Sequence, residues 1–93
     1  VRTAFFMLGQ TKIELLEATS EDSTIAKFVE NKGIGIHHMA LAVENIEEQL
    51  ADASEKGLRL IDATPRKGAD GMTIAFLHPK STQGILTELC EKK

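Results

Sequence analysis

Two stretches of this chain carry one pattern, and that repetition limits the folds open to it. Phe5-Phe6-Met7-Leu8, a turn and Lys12-Ile13-Glu14-Leu15-Leu16-Glu17 form the first. Ala75-Phe76-Leu77-His78, a turn and Leu86-Thr87-Glu88-Leu89-Cys90-Glu91 form the second. Each is an apolar run, a set of turn residues and a second run carrying Glu-Leu-x-Glu, which reads as a β-hairpin. The echo is either a coincidence between two amphipathic hairpins or a duplicated module. Under the second reading an asymmetry follows. The later hairpin is preceded by strand, helix and strand over residues 36–61, the earlier one by nothing, so a β-α-β unit is expected ahead of Val1.

The segments between the hairpins carry helix and strand signals. Ser20-Glu21-Asp22-Ser23 is a cluster of N-cap residues, followed by Ile25, Ala26, Phe28 and Val29 at helical spacing and by Gly33 as a stop. Ile36 to Val43 reads as a strand. Asn45 then caps a helix whose apolar stripe is Ile46, Leu50 and Ala53, whose wet face is Glu44, Glu47, Glu48 and Asp52, and which ends at Gly57. Leu58 to Ile61 reads as a short strand, Pro65 to Gly71 as a loop, Met72 to Leu77 as a strand, His78 to Gly84 as a turn and Ile85 to Glu91 as the last strand. The order β-β-α-β-α-β-β-β predicts an α+β fold on a mixed or antiparallel sheet. The expectation is one domain over 1–93: a hairpin at 1–19, a linker helix at 20–33 and a βαβββ module at 34–93.

Charge and composition exclude some partners. The 93 residues carry a net charge of −3, no basic run, and no Trp or Tyr for base stacking, so a nucleic-acid surface is not expected. No apolar stretch approaches the roughly 18–20 residues of a membrane span. Cys90 is the one cysteine, which leaves no intrachain disulfide and suits a reducing cytoplasm. A domain this small buries a modest share of its surface, so oligomerisation is expected on physical grounds, and a homodimer is the form expected, with sheets from two chains completing one another.

The strand at 36–43 separates its side chains by face. His37, Met39, Leu41 and Val43 share one side, which suits packing on a helix. His38, Ala40 and Ala42 share the other, where the small neighbours leave space around the imidazole. His38 is then either a satisfied polar residue or a metal ligand. Glu14 and Glu88 each sit in an apolar strand, where a carboxylate is costly unless the face is wet or the group is paired, protonated or bound to a cation. If both hairpins join one curved sheet, the two glutamates converge with His38, and imidazole plus carboxylates suits a divalent metal such as cobalt, manganese, zinc or iron. Glu17 and Glu91 read as solvated strand ends, His78 as a turn residue and Cys90 as packing on the Glu88 face. Lys80, Arg66 and Lys67 are candidate phosphate contacts, with solvated roles as the alternative.

Four motifs together resemble the methylmalonyl-CoA epimerase family of the vicinal-oxygen-chelate (glyoxalase/bleomycin resistance) superfamily. They are T-K-I-E-L-L-E (11–17), D-S-T-I-A-K-F (22–28), G-I-G-I-H-H-M-A-L-A-V-E-N-I (33–46) and F-L-H-P-K-S-T-Q-G-I-L-T-E-L (76–89). The resemblance implies paired βαβββ modules around a divalent metal, cobalt first among the candidates. It implies His38, Glu14 and Glu88 as ligands, with Glu88 also the catalytic residue. It implies an acyl-CoA thioester as substrate, with Lys80, Ser23, Arg66 and Lys67 as candidate contacts. It also implies that the βα part of the first module, with a further histidine ligand and a second acid/base glutamate, is expected ahead of Val1. The activity implied is interconversion of (R)- and (S)-methylmalonyl-CoA by proton transfer at the carbon next to the thioester. Two alternatives stand beside it: a glyoxalase-type isomerase acting on a glutathione hemithioacetal, and a folded, inactive piece that self-assembles.

Overall fold

In the computed structural model, which describes residues 1–92, the first hairpin closes on a two-residue loop, Gly9-Gln10. Gly9 has φ of +63°, and a glycine at the first position of such a loop supplies the backbone twist that lets two strands pair without splaying. β1 (Arg2–Leu8) and β2 (Thr11–Glu17) pair antiparallel, with Phe5 opposite Glu14. The Glu17 carboxylate accepts from Arg2 Nε at 2.7 Å, which ties the open end. Ser23 then caps α1 (Thr24–Lys32), its Oγ accepting from Ala26 N at 3.1 Å, and Gly33 ends the helix with φ of +78°. Ile25 is the buried residue of this helix, and Phe28 meets the His37 ring edge-on, centroids 5.0 Å apart. These elements belong to the first of two units into which the chain divides, residues 1–37 and 38 onward.

The second unit is a βαβββ module. Its elements are β3 (His38–Ala42), α2 (Ile46–Glu55), β4 (Arg66–Lys67), β5 (Thr73–Leu77) and β6 (Leu86–Glu91). The sheet order is β3-β6-β5-β4; β3 runs parallel to β6 and the other neighbours are antiparallel. Parallel neighbours need a crossover, and α2 lies in it. The core forms where Ile46, Leu50 and Ala53 on one stripe of α2 meet Ala75, Leu77 and Leu89 of β5 and β6, with Val43, Leu58 and Leu60 at its margin. Ile46 is only 2 % exposed, and burial of such a side chain contributes about 2 kcal/mol. The expected α+β class and both helix N-caps are present, and the element order is matched with β4 standing in for the strand expected at Leu58–Ile61.

Three expectations differ in detail. Met39 and Leu41 do not pack on the helix: each is 46 % exposed, because β3 is an edge strand and α2 covers β5 and β6. The strand expected at Leu58–Ile61 reduces to a single bridge, Leu60 to Leu77. Its ladder breaks because the Asp62 carboxylate, at 2.9 Å, takes the Phe76 N–H that a strand carbonyl would have accepted. Pairing resumes inside the expected loop, where Arg66 and Lys67 face Ile74 and Thr73. Gly68 follows, and a Cβ there would lie 2.8 Å from Ile74 Cγ2. Lys93, the final residue of the expected module, lies outside the described residues.

Candidate functional site

The sheet of the second unit has a covered face and an open one. Thr87 and Leu89 of β6, with Ala75 and Leu77 of β5, point at α2 and are buried. The intervening residues point the other way. Strand pairing places Ala40, Glu88 and Phe76 in one row across this open face, and Ala42, Cys90, Ile74 and Arg66 in the next. His38 stands beside Leu86 at the start of β3. Ala40 and Ala42 are exposed and too small to cover their neighbours, so the face stays accessible beside His38 and Glu88.

His38 and Glu88 meet here. His38 Nε2 lies 3.9 Å from Glu88 Oε1, with the side chains 26 % and 17 % exposed. The other carboxylate oxygen, Oε2, accepts from Cys90 Sγ at 2.8 Å. Partial burial pushes the Cys90 thiol up to about 12, helped by that hydrogen bond and by the negative charge of Glu88. At neutral pH Cys90 is therefore a thiol that donates, and not a thiolate nucleophile. Next in the row, Arg66 lies over the Phe76 ring, 5.3 Å from guanidinium carbon to centroid, and its Nε is 3.5 Å from Asp62 Oδ2. Asp62 thus fastens both the Phe76 backbone and the Arg66 side chain.

An imidazole and a carboxylate 3.9 Å apart on an accessible face are a fitting pair of donors for a borderline divalent cation. Among the described residues of this unit, no group of three or more His, Cys, Asp or Glu side chains forms around them. Glu14 belongs to the first unit, on β2. It is exposed and faces Phe5, over whose ring Lys12 Nζ sits at 4.8 Å. The two hairpins therefore repeat more than their sequence motif. In each, a phenylalanine stands opposite the mid-strand glutamate and carries a cation on its ring.

The remaining candidates fall at several places. Ser23 is committed to capping α1. Lys67 is exposed on β4. Lys80 is exposed in the 3-10 turn Pro79–Ser81, where its backbone N–H is accepted by His78 Nδ1 at 3.1 Å. Partial burial, then the charges of Arg59 and Lys80, hold His78 below its ordinary range. Three roles escaped the sequence. From the sequence Cys90 reads as packing, and its place two residues from Glu88 is the available signal. Asp62 gave none. Glu91 reads as a solvated strand end, yet its Oε1 accepts from Ile46 N at 2.8 Å and so holds the N-terminus of α2. No helix among the described residues is long and apolar enough to cross a membrane.

Known proteins supply a frame for this face. A family model for the Glyoxalase/Bleomycin resistance protein/Dioxygenase superfamily matches residues 1–76. The mitochondrial methylmalonyl-CoA epimerase of Dictyostelium discoideum is 44 % identical over 93 residues, which is 99 % of this chain and 56 % of that protein. A Bacillus halodurans protein of known crystal structure is 50 % identical with a TM-score of 0.86, over 98 % of this chain and 66 % of that one. A methylmalonyl-CoA epimerase solved in complex with methylmalonyl-CoA and NH4+ is 37 % identical with a TM-score of 0.80, over 98 % and 67 %. The chain spans about half to two thirds of the length of the curated relatives it matches.

Proposed function

The chain belongs to the Glyoxalase/Bleomycin resistance protein/Dioxygenase superfamily, and from that premise we propose that it is part of an epimerase that interconverts the two forms of methylmalonyl-CoA. One observation carries the reading: Glu88 and His38 stand side by side on an accessible sheet face, and the residues that place them lie in segments resembling the epimerases. The proposal takes in an acyl-CoA thioester substrate, a divalent cation and a homodimer.

The chemistry sets what the residues must do. The hydrogen on the carbon between a thioester and a carboxylate is too weakly acidic for a side-chain carboxylate to remove unaided. Members of this superfamily generally use a divalent metal, which when bound supplies Lewis acidity toward the thioester oxygen. His38 and Glu88 are the donors that would hold it, and cobalt is the ion we favour. Glu14 is proposed as a further donor because it occupies in its hairpin the place that Glu88 has in the other, opposite a phenylalanine. Glu88 is also the proposed acid/base on one side of the reacting carbon, where it takes or returns the proton. Inversion needs a second acid/base on the opposite side of that carbon. Arg66, Lys67 and Lys80 are proposed contacts for the anionic groups of the substrate. Ser23 is a further proposed contact, its hydroxyl oxygen occupied by the helix cap. A free thiol at Cys90 fits a reducing compartment, and we assign the cytoplasm.

The test is proton exchange. The intact protein, supplied with a divalent metal and methylmalonyl-CoA in deuterated water, is expected to replace the hydrogen at carbon 2, followed by NMR. Glu88→Gln is expected to slow this by about a hundredfold or more. No exchange by the intact protein, or turnover only of a glutathione hemithioacetal, refutes the reading.

A further inference from the structure

We propose that Cys90 is a positioning residue for Glu88: its thiol fixes which carboxylate oxygen is turned toward His38. The inference rests on the assignment of Glu88 as the acid/base, but the structural claim stands on separate observations. Cys90 and Glu88 are two residues apart on β6, so both project from the open face. The two oxygens of Glu88 have different neighbours. Oε2 accepts from Cys90 Sγ at 2.8 Å, and Oε1 faces His38 Nε2 at 3.9 Å.

A glutamate has three side-chain torsions, and the alanines beside this one give it little to lean on. Ala40 is its row neighbour on β3 and Ala42 stands in the row of Cys90. The packing that would hold the carboxylate is therefore thin on that side, and a directional donor has to do the holding. The Cys90 thiol supplies such a donor, its Sγ 2.8 Å from Glu88 Oε2. Its strand neighbours across the sheet, Ile74 and Ala42, offer no competing side-chain acceptor. With Oε2 engaged, Oε1 is left for the chemistry. Outer partners of this kind orient a carboxylate without touching substrate, and their loss moves turnover more than affinity.

Three variants and one spectrum decide the matter. In the intact protein, Cys90→Ala is expected to lower kcat roughly fivefold with KM unchanged, as for a lost hydrogen bond from a weak thiol donor. Cys90→Ser, which keeps a donor at this position, is expected to recover most of that loss. Equal rates in all three proteins overturn the proposal. So does a Cys90→Ala loss that serine fails to recover and that comes with a lower melting temperature, since that marks packing alone. The second readout needs no turnover. The S–H stretching band of Cys90 is followed by Raman spectroscopy in the metal-free protein, assigned as the band that Cys90→Ala removes. The band is expected at the low frequency of a donating thiol and should rise in Glu88→Ala; a band indifferent to that change overturns the proposal. If the intact protein exchanges no substrate proton while the band does respond, the epimerase reading falls and the pairing of Cys90 with Glu88 remains.

Discussion

At the level of single residues, the open face works by division of labour around one carboxylate. Glu88 has an imidazole on one side and a thiol on the other, and Ala40 of β3 stands beside it in the same row. The sequence made half of this readable. A histidine between small residues, and a glutamate in an apolar run, are visible because strand side chains alternate. The thiol's role was hidden because a cysteine two residues away reads equally well as packing, and only the side-chain rotamers decide. His78 offers a separate check at this scale. Its imidazole is held below the usual 6.5 by partial burial and by Arg59 and Lys80, so the folded protein favours the neutral ring. The unfolded chain then binds the proton more readily, and stability is lost as pH falls from 6.5 through the lowered value. NMR titration of His78 is expected to show a midpoint below 6.5 that moves up in Lys80→Ala; an unmoved midpoint would remove Lys80 as a cause.

Among the elements, local signals set the helices and distant ones set the sheet margin. Ser23 and Asn45 cap as their residue types predict, each accepting from a backbone N–H three residues on. The stripe of Ile46, Leu50 and Ala53 forms the core at the expected spacing. What could not be read was the segment from Arg59 to Asp62, because its course depends on partners 14 or more residues away. Asp62 intercepts the Phe76 N–H and Ser81 Oγ accepts from Arg59 N at 2.9 Å. Likewise Glu91 reaches α2 across 45 positions of chain, which no local window contains. Gly68 belongs to this margin. Its backbone lies so close to Ile74 that an added methyl group meets a branched side chain at 2.8 Å, with little freedom to withdraw. Gly68→Ala is expected to destabilise the intact protein by about 1–3 kcal/mol. Urea denaturation should show a lower midpoint with an unchanged slope; an unshifted midpoint would mean that Ile74 rotates away at no cost.

For the molecule as a whole, the repeated hairpin is the strongest link between sequence and architecture. The register of each places a phenylalanine against the central glutamate, which favours duplication over coincidence. The first hairpin also presents Phe5, Phe6, Met7 and Leu8 at more than half exposure each. Apolar surface of that kind marks an interaction surface, and association into a homodimer is the expected outcome. Light scattering at micromolar concentration is expected to return twice the chain mass, and a stable monomer would count against it. The pairing of β3 with β6 carries a consequence in time. The first strand of the module finds its neighbour only in the last, with α2, β4 and β5 threaded between them. Closing so long a loop is entropically slow. During synthesis on a ribosome, His38 emerges well before Glu88 and must wait, so this face is among the last parts of the unit to mature.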